Sequence, residues 1–217
     1  MRIVMLAAIT LISGCAGELL SQSQSDQDLG VASTPDDALN GSTTEAADLS
    51  DRSQDGASNS LSAEQQAILD RAKLGVGYSY YWGHGAWRSD GAQHGSCSGS
   101  CPSCSHTGSY GADCSGFVAK CWQIPSASPL ETDLHPYATA DFFNKTTHWS
   151  VIPRSSLKAA DSLVYNTNGA GHMMLFEKAT DPWGSLWVYQ AVGCDKGVTH
   201  DLRTAGSAYI AIRREGL

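Results

Sequence analysis

Gly111-Ala112-Asp113-Cys114-Ser115-Gly116-Phe117-Val118 is the stretch on which the reading of this chain turns. Asp113 is a helix-capping residue type, and the apolar run behind it predicts a helix from near Cys114 to about Gln123, stopped by Pro125. The thiol of Cys114 then sits in the first helical turn. Backbone N–H groups and the helix dipole favour an anion there, so a thiolate is stabilised and a developing oxyanion can be held. Gly116, without a Cβ, leaves room for another backbone to approach. Such a thiol still needs a base, and Gly171-His172-Met173-Met174-Leu175-Phe176 supplies one on a strand-like run. Tyr189-Gln190-Ala191 lies on the next such run, where an amide can orient the imidazole as a third member. Read without the rest, Gln190 could equally be an ordinary strand residue.

Outward from this stretch, helices come first and strands afterwards. Ser62-Ala63-Glu64-Gln65 has the capping-box pattern and predicts a helix from Ala63 to about Leu74, ended by Gly75 and Gly77. Residues 83–112 read as an irregular Gly-, Ser- and Cys-rich stretch, and a short helix is expected over Ala140–Lys145. Short β runs follow at Ser162–Tyr165, His172–Glu177, Leu186–Val192, Val198–Leu202 and Ala208–Arg213. Turns are expected at 169–171 and 181–182 between them. The pattern predicts an α+β fold, N-terminal helices packed on an antiparallel β-sheet with the nucleophile at a helix start.

The two halves of the 217-residue chain differ in composition. Residues 16–60 carry nine acidic side chains against Arg52 alone and have no aromatic residue, so they are expected to form a disordered acidic tether. Residues 61–217 are nearly neutral and hold every Trp, Tyr and Phe, enough for one folded domain. Neither half is basic, which argues against nucleic acid as a partner. Residues 1–15 start with Arg2, run apolar from Ile3 to Ile12 and end in Ser13-Gly14-Cys15. That is an export signal too short to span a bilayer. Ile12-Ser13-Gly14-Cys15 also resembles a bacterial lipobox, which implies lipidation at Cys15 and a lipid-anchored protein of the cell envelope. That would be the outer membrane facing the periplasm in a Gram-negative cell. The other reading is a plain signal peptide cut near Ala16-Gly17, leaving a secreted protein.

In the order of its motifs the chain resembles the NlpC-type cell-wall cysteine peptidases, which have a papain-like fold. Tyr80-Tyr81-Trp82-Gly83-His84, Asp113-Cys114-Ser115-Gly116, Ala160-Asp161-Ser162-Leu163-Val164, Gly171-His172 and Gln190 carry the likeness, which runs from about residue 64 to 214. The resemblance implies Cys114 as nucleophile, His172 as general base and Gln190 as the orienting residue. It implies Tyr80 and Ser115 facing substrate or oxyanion, with Tyr81 the rival to Tyr80. The implied activity is peptidoglycan hydrolysis at an amide of a wall stem or cross-link peptide, through a thioester. No cofactor or metal is expected, and a monomer is. Other acyl chemistry on the same fold (amidase, transamidase or a wall-targeting toxin) and a non-catalytic lipoprotein binding wall peptides are the alternatives. Three departures stand out. His84 replaces the second glycine of the Trp-Gly-Gly element, Met174 replaces a small residue and so implies a bulkier pocket wall, and residues 84–112 form an insertion over the site.

With Cys15 and Cys114 assigned, Cys97, Cys101, Cys104, Cys121 and Cys194 remain. An exported chain favours disulfides among them. Cys97, Cys101, Cys104 and His106 could alternatively bind zinc. Five is odd, so at most two bridges form. Cys121 is two helical turns from Cys114, about 10 Å, which is too far for those two to pair.

Overall fold

The computed structural model describes residues 60–92, 94–145, 147–180 and 184–217. The expected signal (1–15), the tether (16–60) except for Ser60, and the turn at 181–182 lie outside the described residues. Helix α1 (Ala63–Gly75) begins where Ser62 and Gln65 close a reciprocal capping box, with bonds of 2.9 and 3.1 Å. Its buried face is Ile68, Leu69 and Ala72. Helix α2 (Cys114–Trp122) is buried along its whole length, Lys120 included, whose ammonium donates to the Pro129 and Thr132 carbonyls at 3.1 and 2.7 Å. It ends at Gln123 in a left-handed conformation, φ 54°, just before Pro125. The short α3 (Thr139–Asn144) is capped by the Asp141 carboxylate, which accepts from the Ala138 N–H at 3.0 Å.

Residues 83–112 are mostly turns and irregular backbone, as expected, but short strands interrupt them. Together with Ser79–Tyr80 they contain five short strands: β1 (Ser79–Tyr80), β2 (Gly85–Ala86), β3 (Ser96–Ser98), β4 (Ser105–Thr107) and β5 (Gly111–Ala112). β5 lies between β1 and β2, and β3 pairs with β4 as a hairpin. Strands of two or three residues cannot show a period, so alternation could not reveal them.

The main sheet is formed by β6 (Trp149–Ile152), β7 (Ser162–Thr167), β8 (Ala170–Ala179), β9 (Leu186–Gly193), β10 (Gly197–Arg203) and β11 (Ile210–Arg214). Its order is β10-β9-β8-β7-β11-β6, antiparallel throughout. The five expected β runs are all strands, and the edge strand β6 is an addition. Six consecutive buried residues in β8, Gly171 to Phe176, mark a strand covered on both faces. Met173 and Leu175 join Phe117, Val118, Trp122, Phe142 and Val164 in the larger core, against which α2 and α3 pack. Met174 and Phe176 join Leu163, Leu186, Val188 and Ala211 in a second core. The fold is mixed α+β with an antiparallel sheet, as the element order implied.

Candidate active site

Asp113 organises the start of α2. One carboxylate oxygen accepts from the Gly116 N–H at 2.8 Å and from the Ser115 hydroxyl at 3.0 Å. The other accepts from the Gly83 N–H at 3.0 Å. His135 Nε2 reaches the same carboxylate at 2.8 Å and Ser115 Oγ at 3.0 Å. Burial works against charge on His135, but the bond to Asp113 and its negative charge outweigh it and hold the imidazole pKa above its ordinary value. The segment 81–84 is drawn onto this cap by two backbone bonds, Tyr81 N–H to the Ala112 carbonyl and Asp113 N–H to the His84 carbonyl, at 3.2 and 3.0 Å. A Cβ on Gly116 would overlap the His84 carbonyl. That glycine is where another backbone closes in, as its lack of a side chain suggested.

Cys114 is fully buried at the first position of α2. Its sulfur is held in a disulfide in this structure. Nucleophilic chemistry would use the reduced form. The Ser115 hydroxyl is committed to Asp113 and His135, so any contact of Ser115 with a substrate falls to its backbone N–H, which belongs to the outward-pointing amides of the first turn.

Tyr80 and Tyr81 go to different places. Tyr80 is fully buried with its hydroxyl beside the Cys114 backbone amide, yet the geometry closes no hydrogen bond to it. Burial and the nearby Asp113 charge push the phenol pKa up, so the group is a neutral hydroxyl. Tyr81 stacks on His106 at 3.7 Å between ring centroids, with His84 against it at 3.8 Å. His84 in turn pairs with Asp133, whose other oxygen accepts from the Gly85 N–H. His84 therefore belongs to an aromatic cluster with Tyr81 and His106. Met174 is in the second core rather than at a pocket wall. A buried, unpaired hydroxyl costs stability. We expect Tyr80→Phe to leave the thermal midpoint unchanged or raise it, and to slow turnover. A fall of several degrees in a melting curve would show that the hydroxyl contributes to the fold instead.

His172 is at the start of β8, with Nε2 2.8 Å from Gln190 Oε1. Gln190 Nε2 is 2.8 Å from Asp201 Oδ1. Burial lowers the His172 pKa. The Gln190 bond raises it, Arg203 lowers it, and Asp113 and Asp201 raise it, and burial wins. The charge of Asp113 acts on both Tyr80 and His172, so the cap of α2 lies within electrostatic reach of both. His172 and Gln190 are thus brought together as the sequence suggested. His135, Asp133 and Asp201 carry no motif of their own and were not singled out.

The remaining cysteines form two bridges. Cys97–Cys104 closes the β3–β4 hairpin, and Cys101–Cys194 ties its tip to the turn between β9 and β10. The sulfurs of Cys97, Cys104 and Cys194 lie within 4.8 Å of one another but are committed to these bonds, not held as thiolates for a zinc ion. Cys121 is a free, buried thiol among the core residues, and burial pushes its pKa up.

No family model matches the chain, and no curated protein does. Among solved structures, that of the peptidoglycan hydrolase RipB from Mycobacterium tuberculosis is similar at a TM-score of 0.45, with 21% identity over 76% of this chain and 73% of that one.

Proposed function

We propose that the chain is a cysteine peptidase of peptidoglycan with a papain-like site, built on Cys114, His172 and Gln190. The observation that carries this reading is the buried His172–Gln190 pair at 2.8 Å, taken with the Asp113 cap that starts α2 at Cys114. Gln190 Oε1 can only accept, so His172 Nε2 is the protonated nitrogen and Nδ1 is the bare one, available as a base. Nδ1 takes the thiol proton, and the thiolate attacks an amide carbonyl of a wall peptide. The oxyanion meets the first-turn amides of α2, with the Tyr80 hydroxyl beside them. His172 then protonates the departing amine, and water hydrolyses the thioester. Cys15, lipidated, would anchor the enzyme in the cell envelope, and residues 16–60 would give it reach.

Incubation of the reduced protein with purified wall fragments, followed by mass analysis of the products, tests this. Cleavage at a peptide amide is expected, and intact fragments together with saturable binding would favour the wall-peptide binder instead. The pH profile is a second test. With its pKa below the ordinary imidazole value of about 6.5, His172 stays neutral and basic into mildly acidic solution. The acid limb of kcat/KM on soluble wall peptides should therefore fall below about 6.5. A limb well above that would mean another group is titrating.

A further inference from the structure

An amide side chain is ambiguous. Its oxygen and nitrogen have nearly the same shape, and a glutamine beside a histidine can present either one. A donor turned toward Nε2 would demand a bare Nε2 and move the proton to Nδ1, leaving the imidazole unable to take a proton from the thiol. What fixes Gln190 is on the next strand. Thr199 pairs with Gln190 and Asp201 with Val188, so Asp201 lies diagonally across from Gln190 on the same face of β9 and β10. A carboxylate only accepts, so the Gln190 group 2.8 Å from Asp201 Oδ1 must be the NH2, which turns Oε1 toward His172. The other Asp201 oxygen is 3.1 Å from Arg203 Nη2, which holds the carboxylate in place.

We infer that Asp201 is a positioning residue of the site: through Gln190 it sets the tautomer of His172. The inference rests on the Cys114–His172 reading given above. The chain of bonds runs Arg203 to Asp201 to Gln190 to His172, and every donor and acceptor in it has one possible direction. The charged groups that act on His172 are Asp113 at the α2 cap and Asp201 and Arg203 on β10, so replacing Asp201 also removes one of the two charges that favour its protonated form.

The test is Asp201→Asn in the reduced full-length protein. Asparagine has the same shape as aspartate but can donate to Gln190 Oε1, which lets the glutamine amide turn over. We expect kcat on soluble wall peptides to fall by about 10- to 100-fold, the scale found for outer partners of an oriented imidazole, with KM little changed. Nitrogen-15 spectra of the imidazoles should show the His172 proton moving from Nε2 toward Nδ1. Adding Gln190→Glu restores one-way polarity, because a carboxylate at position 190 accepts both from the amide introduced at position 201 and from His172. The double variant should recover at least about tenfold of the lost kcat and return the proton to Nε2. Wild-type kcat and an unmoved tautomer in Asp201→Asn would overturn the inference. So would a loss that the double variant fails to restore, since that marks a structural role. Cys114→Ala, run alongside, separates the two readings. If it stays active, the nucleophile assignment falls, while the spectra still report on Asp201.

Discussion

Replacing Cys114 by alanine is expected to abolish hydrolysis of wall peptides, by about three orders of magnitude or more, and to leave the fold intact. The size follows from the chemistry. Without sulfur there is no thioester route, and the oxyanion site and the bound substrate alone provide little of the rate. Among the described residues no other thiol can stand in, because Cys121 is buried in the core with its pKa pushed up by burial, and the other cysteines are bridged. The fold should survive because α2 is started by the Asp113 carboxylate, not by sulfur, and alanine is a strong helix former. Turnover and circular dichroism on the same sample check both halves. Cleavage near the wild-type rate would remove Cys114 as nucleophile.

The parts of this site that the sequence made legible share one property: their meaning is local. Asp113, Cys114 and Gly116 sit within four residues, and a cap, a first-turn side chain and a missing Cβ follow from neighbours along the chain. Five of the six main-sheet strands showed for a similar reason, since each expected run is a stretch of four to seven residues bounded by turn residues. What stayed hidden depends on register. Asp201 is one acidic residue on a strand, and nothing in Thr199-His200-Asp201 tells which face of which neighbour it meets. His135 reaches the helix cap from a segment with no regular structure, 22 residues beyond Asp113. The strands inside 83–112 are too short for periodicity, and β5 lies against β1 because Gly111 lets the backbones close together where a Cβ would collide with the Ser79 carbonyl. Counting Cys97, Cys101, Cys104, Cys121 and Cys194 limited the bridges among them to two, but the pairing required knowing that the hairpin tip meets the turn after β9.

That pairing leads to the second large effect. Removing the Cys101–Cys194 bridge, as the Cys101→Ser/Cys194→Ser pair, is expected to cost far more than removing Cys97–Cys104. The first closes a loop of 93 residues and the second a loop of 7. On the chain-entropy account these are worth about 4–5 and about 2 kcal/mol. For a domain of this size the larger loss lowers the melting midpoint by about 10 °C or more, against about half that for the smaller. The functional consequences should also differ. Cys97–Cys104 lies within the hairpin and holds its shape, whereas Cys101–Cys194 holds the hairpin to the strands that carry Gln190 and Asp201. We propose that the insertion is a stapled lid that narrows the cleft, with its Tyr81, His84 and His106 rim facing the substrate. Freeing its tip should then raise KM or broaden the range of wall peptides accepted, while reduced Cys114 still reacts with a small alkylating agent at close to the normal rate. If that reactivity were lost in a variant that remains folded at the assay temperature, the hairpin would be supporting the thiolate itself. If melting midpoints fell equally for both bridge variants, the long cross-link would not be constraining the unfolded chain as its span requires.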